Sequence, residues 1–234
     1  MEHDPLFIPH CFIKKEDIEI SGFFAATLAW GQRKTIIRNS LKLMKWMDNA
    51  PHEFILNYKK NDLKPFMQFT HRTFNGTDCC FFINQLSRIY RKYGSLEFAF
   101  SNDGLKKEYL IDVAIINFRK LFFSELPPNR SFKHVSNPSS NSSSKRLCMY
   151  LRWMVRKDSC GCDFGIWNSI HPSQLCLPLD VHTGRVAREL GLLQRKQDDW
   201  KSVIEVTNAL KEFDSYDPVK YDYALFGIGV NGEI

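Results

Sequence analysis

Apolar residues recur at helical spacing along most of this chain, while alternating strand patterns set between NG- or DG-type turns are scarce. Residues 18–31, IEISGFFAATLAWG, predict a strongly apolar helix that Gly31 ends or bends. A basic amphipathic helix follows from Gln32 to Met47, with Ile36, Ile37, Leu41, Leu43, Met44 and Met47 on its apolar face. The same period recurs near 80–92, 106–123, 143–156, 181–193, 198–213 and 218–228. The pattern predicts an all-α protein.

At 234 residues, with 44% hydrophobic and 25% charged residues, the chain can build one compact domain or two lobes sharing an interface. Its 19 Phe and 5 Trp supply a core and, equally, surfaces on which bases stack. A net charge of +6 suits a polyanionic partner, although many basic proteins bind no nucleic acid. The seven cysteines are odd in number and lack the spacing of a disulfide framework, which fits reduced thiols in a cytosol. Cys160-Gly-Cys162 lacks the paired CxxC spacing of a zinc site, so no metal is expected. No window is apolar enough for a membrane span, and MEHDPLFIPH carries no signal-peptide pattern. The expectation is a soluble cytosolic protein.

Three helix starts stand out. His134 to Ser144, HVSNPSSNSSS, reads either as a flexible linker or as a loop that presents a helix N-terminus. It leads directly into KRLCMYLRWMVR, for which Ser142, Ser143 or Ser144 is a natural N-cap. On that helix Leu147, Tyr150, Leu151, Met154 and Val155 share the apolar face, and Arg146, Arg152 and Arg156 fall largely elsewhere. A basic helix start of this kind suits phosphate. The second start is Pro178-Leu179-Asp180, where Asp180 either merely caps VHTGRVARELGLL or serves as a functional carboxylate facing Lys145. Asp217-Pro218 opens the third, with Asp at the cap and Pro at the first helical position.

The segment Leu179-Asp180-Val181-His182-Thr183-Gly184-Arg185-Val186-Ala187 closely resembles the V-D-[TV]-H-x-x-R-[VI]-A segment of the helix-hairpin-helix DNA glycosylases. In that superfamily the Asp is essential, and a Lys at the start of the preceding helix is the nucleophile of bifunctional members. Lys145 is the matching residue. The separation of Lys145 and Asp180, 35 residues, is closer to the archaeal 8-oxoguanine glycosylases than to the endonuclease III-like branch. Ala29-Trp30-Gly31-Gln32-Arg33-Lys34-Thr35 resembles the family's L-S-x-Q-T region, which makes Gln32 the candidate for probing the DNA helix. Asp222-Tyr223-Ala224-Leu225-Phe226 resembles the helix lining the base pocket, with Asp222 and Phe226 on one face. Over its whole length the chain also resembles a bacterial family catalogued only as a domain of unknown function. Two departures stand out. The Gly-rich L-P-G-x-G turn before the catalytic helix is replaced by HVSNPSSNSSSK, and no cysteine follows Cys176, which excludes a C-terminal iron–sulfur cluster.

The resemblance implies a two-lobed fold, with a helical barrel over roughly 22–155, a second lobe from 1–21 plus 156–234, and an active site in the cleft between them. It implies damaged DNA as partner, no cofactor, and excision of an oxidised purine, 8-oxoguanine first, through a Lys145 Schiff base assisted by Asp180. Lys145 must be neutral to attack, and a helix N-terminus with Arg146 beside it disfavours a second cation. The base must leave the stack to reach such a site. Trp30, Tyr223 and Phe226 either stack on it or are ordinary core. His182 either contacts a phosphate or is structural. Arg33, Lys34, Arg146, Arg185 and Arg188 either touch the DNA backbone or form a solvated surface. The competing expectations are a glycosylase for another damaged base and a non-catalytic nucleic-acid-binding protein that kept the fold.

Overall fold

The computed structural model describes residues 3–101, 111–125 and 127–231. The protein is mostly helical, with two short strands among the described residues. Among the described residues no helix is long and apolar enough to cross a membrane. The chain divides into two compact units, residues 1–102 with 117–135 and residues 103–116 with 136–234. The lobes expected from the sequence and these units therefore do not share boundaries. Residues 106–110, where the sequence predicts the start of a helix, lie outside the described residues.

The first unit holds α1 (Phe7–His10), α2 (Lys15–Leu28), α3 (Arg33–Trp46), α4 (Pro51–Asn57), α5 (Lys64–Met67), β1 (Thr70–His71), β2 (Phe74–Asn75), α6 (Gly76–Tyr93) and α7 (Leu96–Ser101). Helix α8 (Ile111–Phe122) contributes its residues from 117 onward. Every residue of α2 from Ile18 to Leu28 is buried, as a helix apolar on all sides requires. Its one buried carboxylate, Glu19, accepts from the Tyr90 hydroxyl at 2.6 Å and the Leu96 amide at 3.1 Å. Gly31 adopts φ +107°, a left-handed conformation that glycine reaches without strain, so α2 and α3 are separate helices.

Helix α6 starts four residues earlier than the apolar period predicts. The Asn75 side chain accepts from the Asp78 amide, and the Asp78 carboxylate accepts from the Asn75 amide, a reciprocal cap. Gly76 can sit there because a Cβ would lie 1.9 Å from the Met67 carbonyl oxygen. Phenylalanines fill the space between α2, α6, α7 and α8. Phe23 meets Phe118 at 5.5 Å, Phe82 meets Phe122 at 4.8 Å, and Phe100 stacks on Phe118 at 3.9 Å. These rings are core.

Asp78 also ties the 129–134 turn to α6. It accepts from Ser131 Oγ at 2.7 Å and Arg130 Nε at 3.2 Å, and His134 Nε2 lies 3.2 Å from the same carboxylate. Burial pushes its carboxyl up, but the Asn75 amide, Ser131, His134 and Arg130 together hold it below the ordinary carboxylate value.

The second unit contains α9 (Lys145–Val155), α10 (Val181–Glu189), α11 (Trp200–Lys211) and α12 (Asp222–Asn231). Trp153, Tyr150, Trp167, Leu177, Val186 and Val203 are among its buried residues. Helix α10 stops short of residue 193 because Gly191 turns left-handed at φ +72°. The expected 218–228 helix is a 3-10 turn, Pro218–Tyr221, followed by α12. Asp217 precedes Pro218 without capping it, because its carboxylate accepts from Arg156 Nε at 2.8 Å.

Replacing Asp78 by Asn should lower stability by about 3 kcal/mol in urea unfolding at neutral pH, since it removes one charge from a buried cluster. The wild-type advantage is full above the unfolded carboxylate value and shrinks as pH falls through the lower folded one. An advantage that grows on acidification contradicts this.

Candidate active site in the second unit

Lys145 is the first residue of α9, and Asp180 is the N-cap of α10. Lys145 Nζ donates to Asp180 Oδ2 at 2.7 Å, while Asp180 Oδ1 accepts from the Thr183 amide at 2.9 Å. One oxygen of Asp180 therefore caps the helix and the other meets the lysine. Burial raises the Asp180 carboxyl, and the Lys145 charge and hydrogen bond, the Thr183 amide and His182 more than offset it, leaving it below the usual range. The side chains keep 33% and 18% of their exposure, so a ligand can reach the pair.

The serine-rich approach to α9 is an ordered turn. Pro138–Ser140 forms a 3-10 turn capped by the Asn137 side chain. Asn141 Nδ2 donates to Asp199 Oδ2 at 2.9 Å, and Ser142 pairs in an isolated bridge with Asp199, at the start of α11. Asn141 and Ser144 adopt φ +60° and +50°, left-handed positions that usually favour glycine. Ser144 occupies the N-cap position, but its side chain makes no cap. Its hydroxyl donates instead to the Ser142 carbonyl at 3.3 Å.

Around the pair stand residues from α10 and α12. Lys145 Nζ lies 5.6 Å from the centre of the Phe226 ring, and His182, exposed, packs edge-on to the same ring at 6.2 Å. The helices approach closely, since a Cβ on Gly229 would lie 3.0 Å from the His182 carbonyl oxygen. Asp222 is buried. Burial pushes its carboxyl above the ordinary value with help from Asp180, against the opposing pull of Arg152 and Lys145. Its carboxylate pairs with Arg152 Nη1.

Arg152 is the member that the sequence did not disclose. Expected away from the apolar face, it is 1% exposed. Its Nε and Nη2 donate to Asp163 Oδ2 at 3.2 and 3.1 Å, and its guanidinium stacks 3.7 Å from the Tyr223 ring centre. Arg156 Nη1 adds a bond to the same Asp163 oxygen at 2.9 Å. Lys145 and Arg152 lie seven residues apart, two helical turns, and so share a side of α9. That spacing was the available signal.

The other expected site residues are placed as follows. Arg146 is half-buried, and burial lowers its guanidinium value. Arg185 Nη2 donates to the Gly229 carbonyl at 2.9 Å, and Arg188 bonds the Arg195 carbonyl and Asp198, so both brace the protein itself. Trp30 and Gln32 belong to the first unit. Trp30 is half-buried beneath the Arg72 guanidinium at 4.4 Å, and its indole Nε1 has no hydrogen-bond partner. Gln32 is exposed at the start of α3 without capping it. Asp158 gathers the amides of Cys160, Cys162 and Asp163, so the Cys160–Cys162 stretch forms a tight loop. Among the described residues no group of three or more His, Cys, Asp or Glu is placed to hold a metal ion.

Chemically the arrangement offers an amine, a carboxylate 2.7 Å away able to take its proton, and an aromatic face alongside. Arg152→Met should cost about 3–5 kcal/mol in urea unfolding, because it leaves the buried Asp222 without its guanidinium partner and Asp163 with Arg156 alone. Arg152→Lys should recover only part, since a single ammonium lacks the fork that serves both. A Met variant as stable as wild type would show that the network is dispensable.

No curated protein and no solved structure matches the chain significantly. A family model described as "Protein of unknown function (DUF2400)" matches residues 4–231, nearly the full length, and the protein belongs to that DUF2400 family.

Proposed function

We propose that the protein is a DNA glycosylase with β-lyase activity that removes an oxidised purine, 8-oxoguanine first among them, using Lys145 and Asp180. The observation that carries this reading is the 2.7 Å contact between Lys145 Nζ and Asp180 Oδ2, each residue fixed at a helix start. Further support comes from the ordered turn before Lys145. Its Asn141 and Ser144 adopt left-handed conformations that usually favour glycine, in the segment that stands where the resembling enzymes have their Gly-rich turn.

The chemistry begins with the lysine proton passing to Asp180 Oδ2, which frees the amine lone pair. Positive charge develops at C1′ as the N-glycosidic bond breaks, and the restored Asp180 carboxylate stabilises it. The departing base keeps the bonding electrons and takes up the proton that Asp180 had accepted, which restores the carboxylate. Lys145 Nζ bonds to C1′, one of its N–H protons passes to the ring oxygen O4′, and cleavage of the C1′–O4′ bond opens the sugar to a protonated imine. Loss of a C2′ proton then expels the 3′ phosphate by β-elimination. The base reaches Lys145 only by leaving the stack, and Phe226 offers it a face.

Borohydride trapping tests the reading. Incubation with a duplex carrying 8-oxoguanine, or another oxidised base, should give a covalent protein–DNA adduct with wild type and none with Lys145→Ala. No adduct across a panel of oxidised bases would overturn the lyase step. Tight binding without base release would favour a non-catalytic nucleic-acid-binding protein.

A further inference from the structure

Helix α3 carries a feature that the Lys145–Asp180 chemistry does not use. Its sequence, RKTIIRNSLKLMKW, has Arg33, Lys34, Arg38, Lys42 and Lys45 and no acidic residue. Lys34, Arg38, Lys42 and Lys45 follow at i, i+4, i+8 and i+11, so they form one stripe within about 80° of the helix circumference and about 16 Å long. All four are exposed, and the opposite side buries Ile36, Asn39, Ser40, Leu43 and Met44. None of the four pairs with a carboxylate among the described residues, and Lys42 rests over the Trp46 ring at 4.6 Å. Some other surface cations are matched, in Lys15–Glu97, Arg188–Asp198, Arg195–Asp199 and Lys220–Asp214.

Like charges at helical i,i+4 spacing repel and weaken a helix, so the stripe is a local cost to stability. The helix is nevertheless well anchored. Asn39 hydrogen-bonds His71 at 3.0 Å, and His71 contacts the Trp30 carbonyl at 3.3 Å, fixing the turn from which α3 begins. A rigid row of unneutralised cations matches a rigid polyanion with regularly spaced charge, which is the description of duplex DNA. A bilayer surface fits less well. The apolar side of α3 is committed to the core, and only Leu41, 40% exposed, remains for insertion.

We propose that Lys34, Arg38, Lys42 and Lys45 form a phosphate-contacting track for duplex DNA, reading backbone charge without regard to sequence or damage. This deepens the excision reading and rests on it for the choice of DNA. The test uses the full chain and an undamaged fluorescent duplex, with binding measured by anisotropy over a range of salt. The stripe variant changes Lys34, Arg38, Lys42 and Lys45 to Gln. The control changes Lys60, Lys64, Lys196 and Lys201 to Gln, exposed cations elsewhere, giving the same loss of charge. Circular dichroism checks that both remain helical.

The stripe variant should bind at least roughly tenfold more weakly at about 0.1 M salt, with a log–log salt slope shallower by about 3 to 4, while the control keeps the wild-type slope. Equal slopes for stripe variant and wild type, equal losses in both variants, or no duplex binding by wild type would overturn the track. So would a stripe-dependent preference for anionic vesicles or RNA over the DNA duplex. A stripe-specific loss of binding in a protein that excises nothing would sink the excision reading and leave the track standing, and unchanged slopes in a protein that excises would do the reverse.

Discussion

The second unit is organised around a guanidinium that has almost no contact with water. Arg152 stays charged in that setting because Asp163 and Asp222 flank it and Tyr223 covers its face. Desolvation opposes its charge, and the two carboxylates more than compensate, raising its value above that of a free arginine. Both carboxyls are in turn pushed up by burial, each the more costly to keep without the shared cation. The geometry follows from this sharing. The 163 loop and the first turn of α12 are both bound to α9, and Asp222 and Phe226 are thereby held beside Lys145, two turns away on the same helix.

Asp180 serves two neighbours at once, a helix start and a lysine. A carboxylate at an N-cap is favourable because the helix start presents unpaired amides and a partial positive charge. That use occupies one oxygen, through the Thr183 amide. The second oxygen is left to meet Lys145, and the capping bond fixes the direction in which it points. Substitution by Asn keeps a good cap while removing the charge, so the two roles are separable.

Helices that carry a long apolar period were legible in the sequence, and their ends were legible only where a cap had no competitor. Asp180 caps α10 as its position suggests, whereas Asp217 is drawn away by Arg156, and Asn75 with Asp78 begins α6 before its apolar period does. Short elements such as α4, α5, α7 and the β1–β2 hairpin are too brief to develop a period. The phenylalanines, read as core or as stacking surfaces, include a large cluster that is plainly core. The serine-rich run has the composition of a linker, and its ordering depends on Asp199, 58 residues from Asn141. Arg152 was hidden for a similar reason. An arginine at helical spacing reads as solvated until Asp163 and Asp222, 11 and 70 residues away, fold back upon it.

In the proposed chemistry everything depends on Asp180 supplying negative charge to a reaction at Lys145. Release of free base from a duplex containing 8-oxoguanine, measured by mass spectrometry in single turnover, addresses that claim directly. Asp180→Asn should slow release by about a hundredfold or more relative to wild type while duplex affinity stays within a few-fold, as expected when a charge facing the developing cation is lost. Excision at the wild-type rate by the Asn variant would contradict the assignment of the carboxylate and the mechanism built on it.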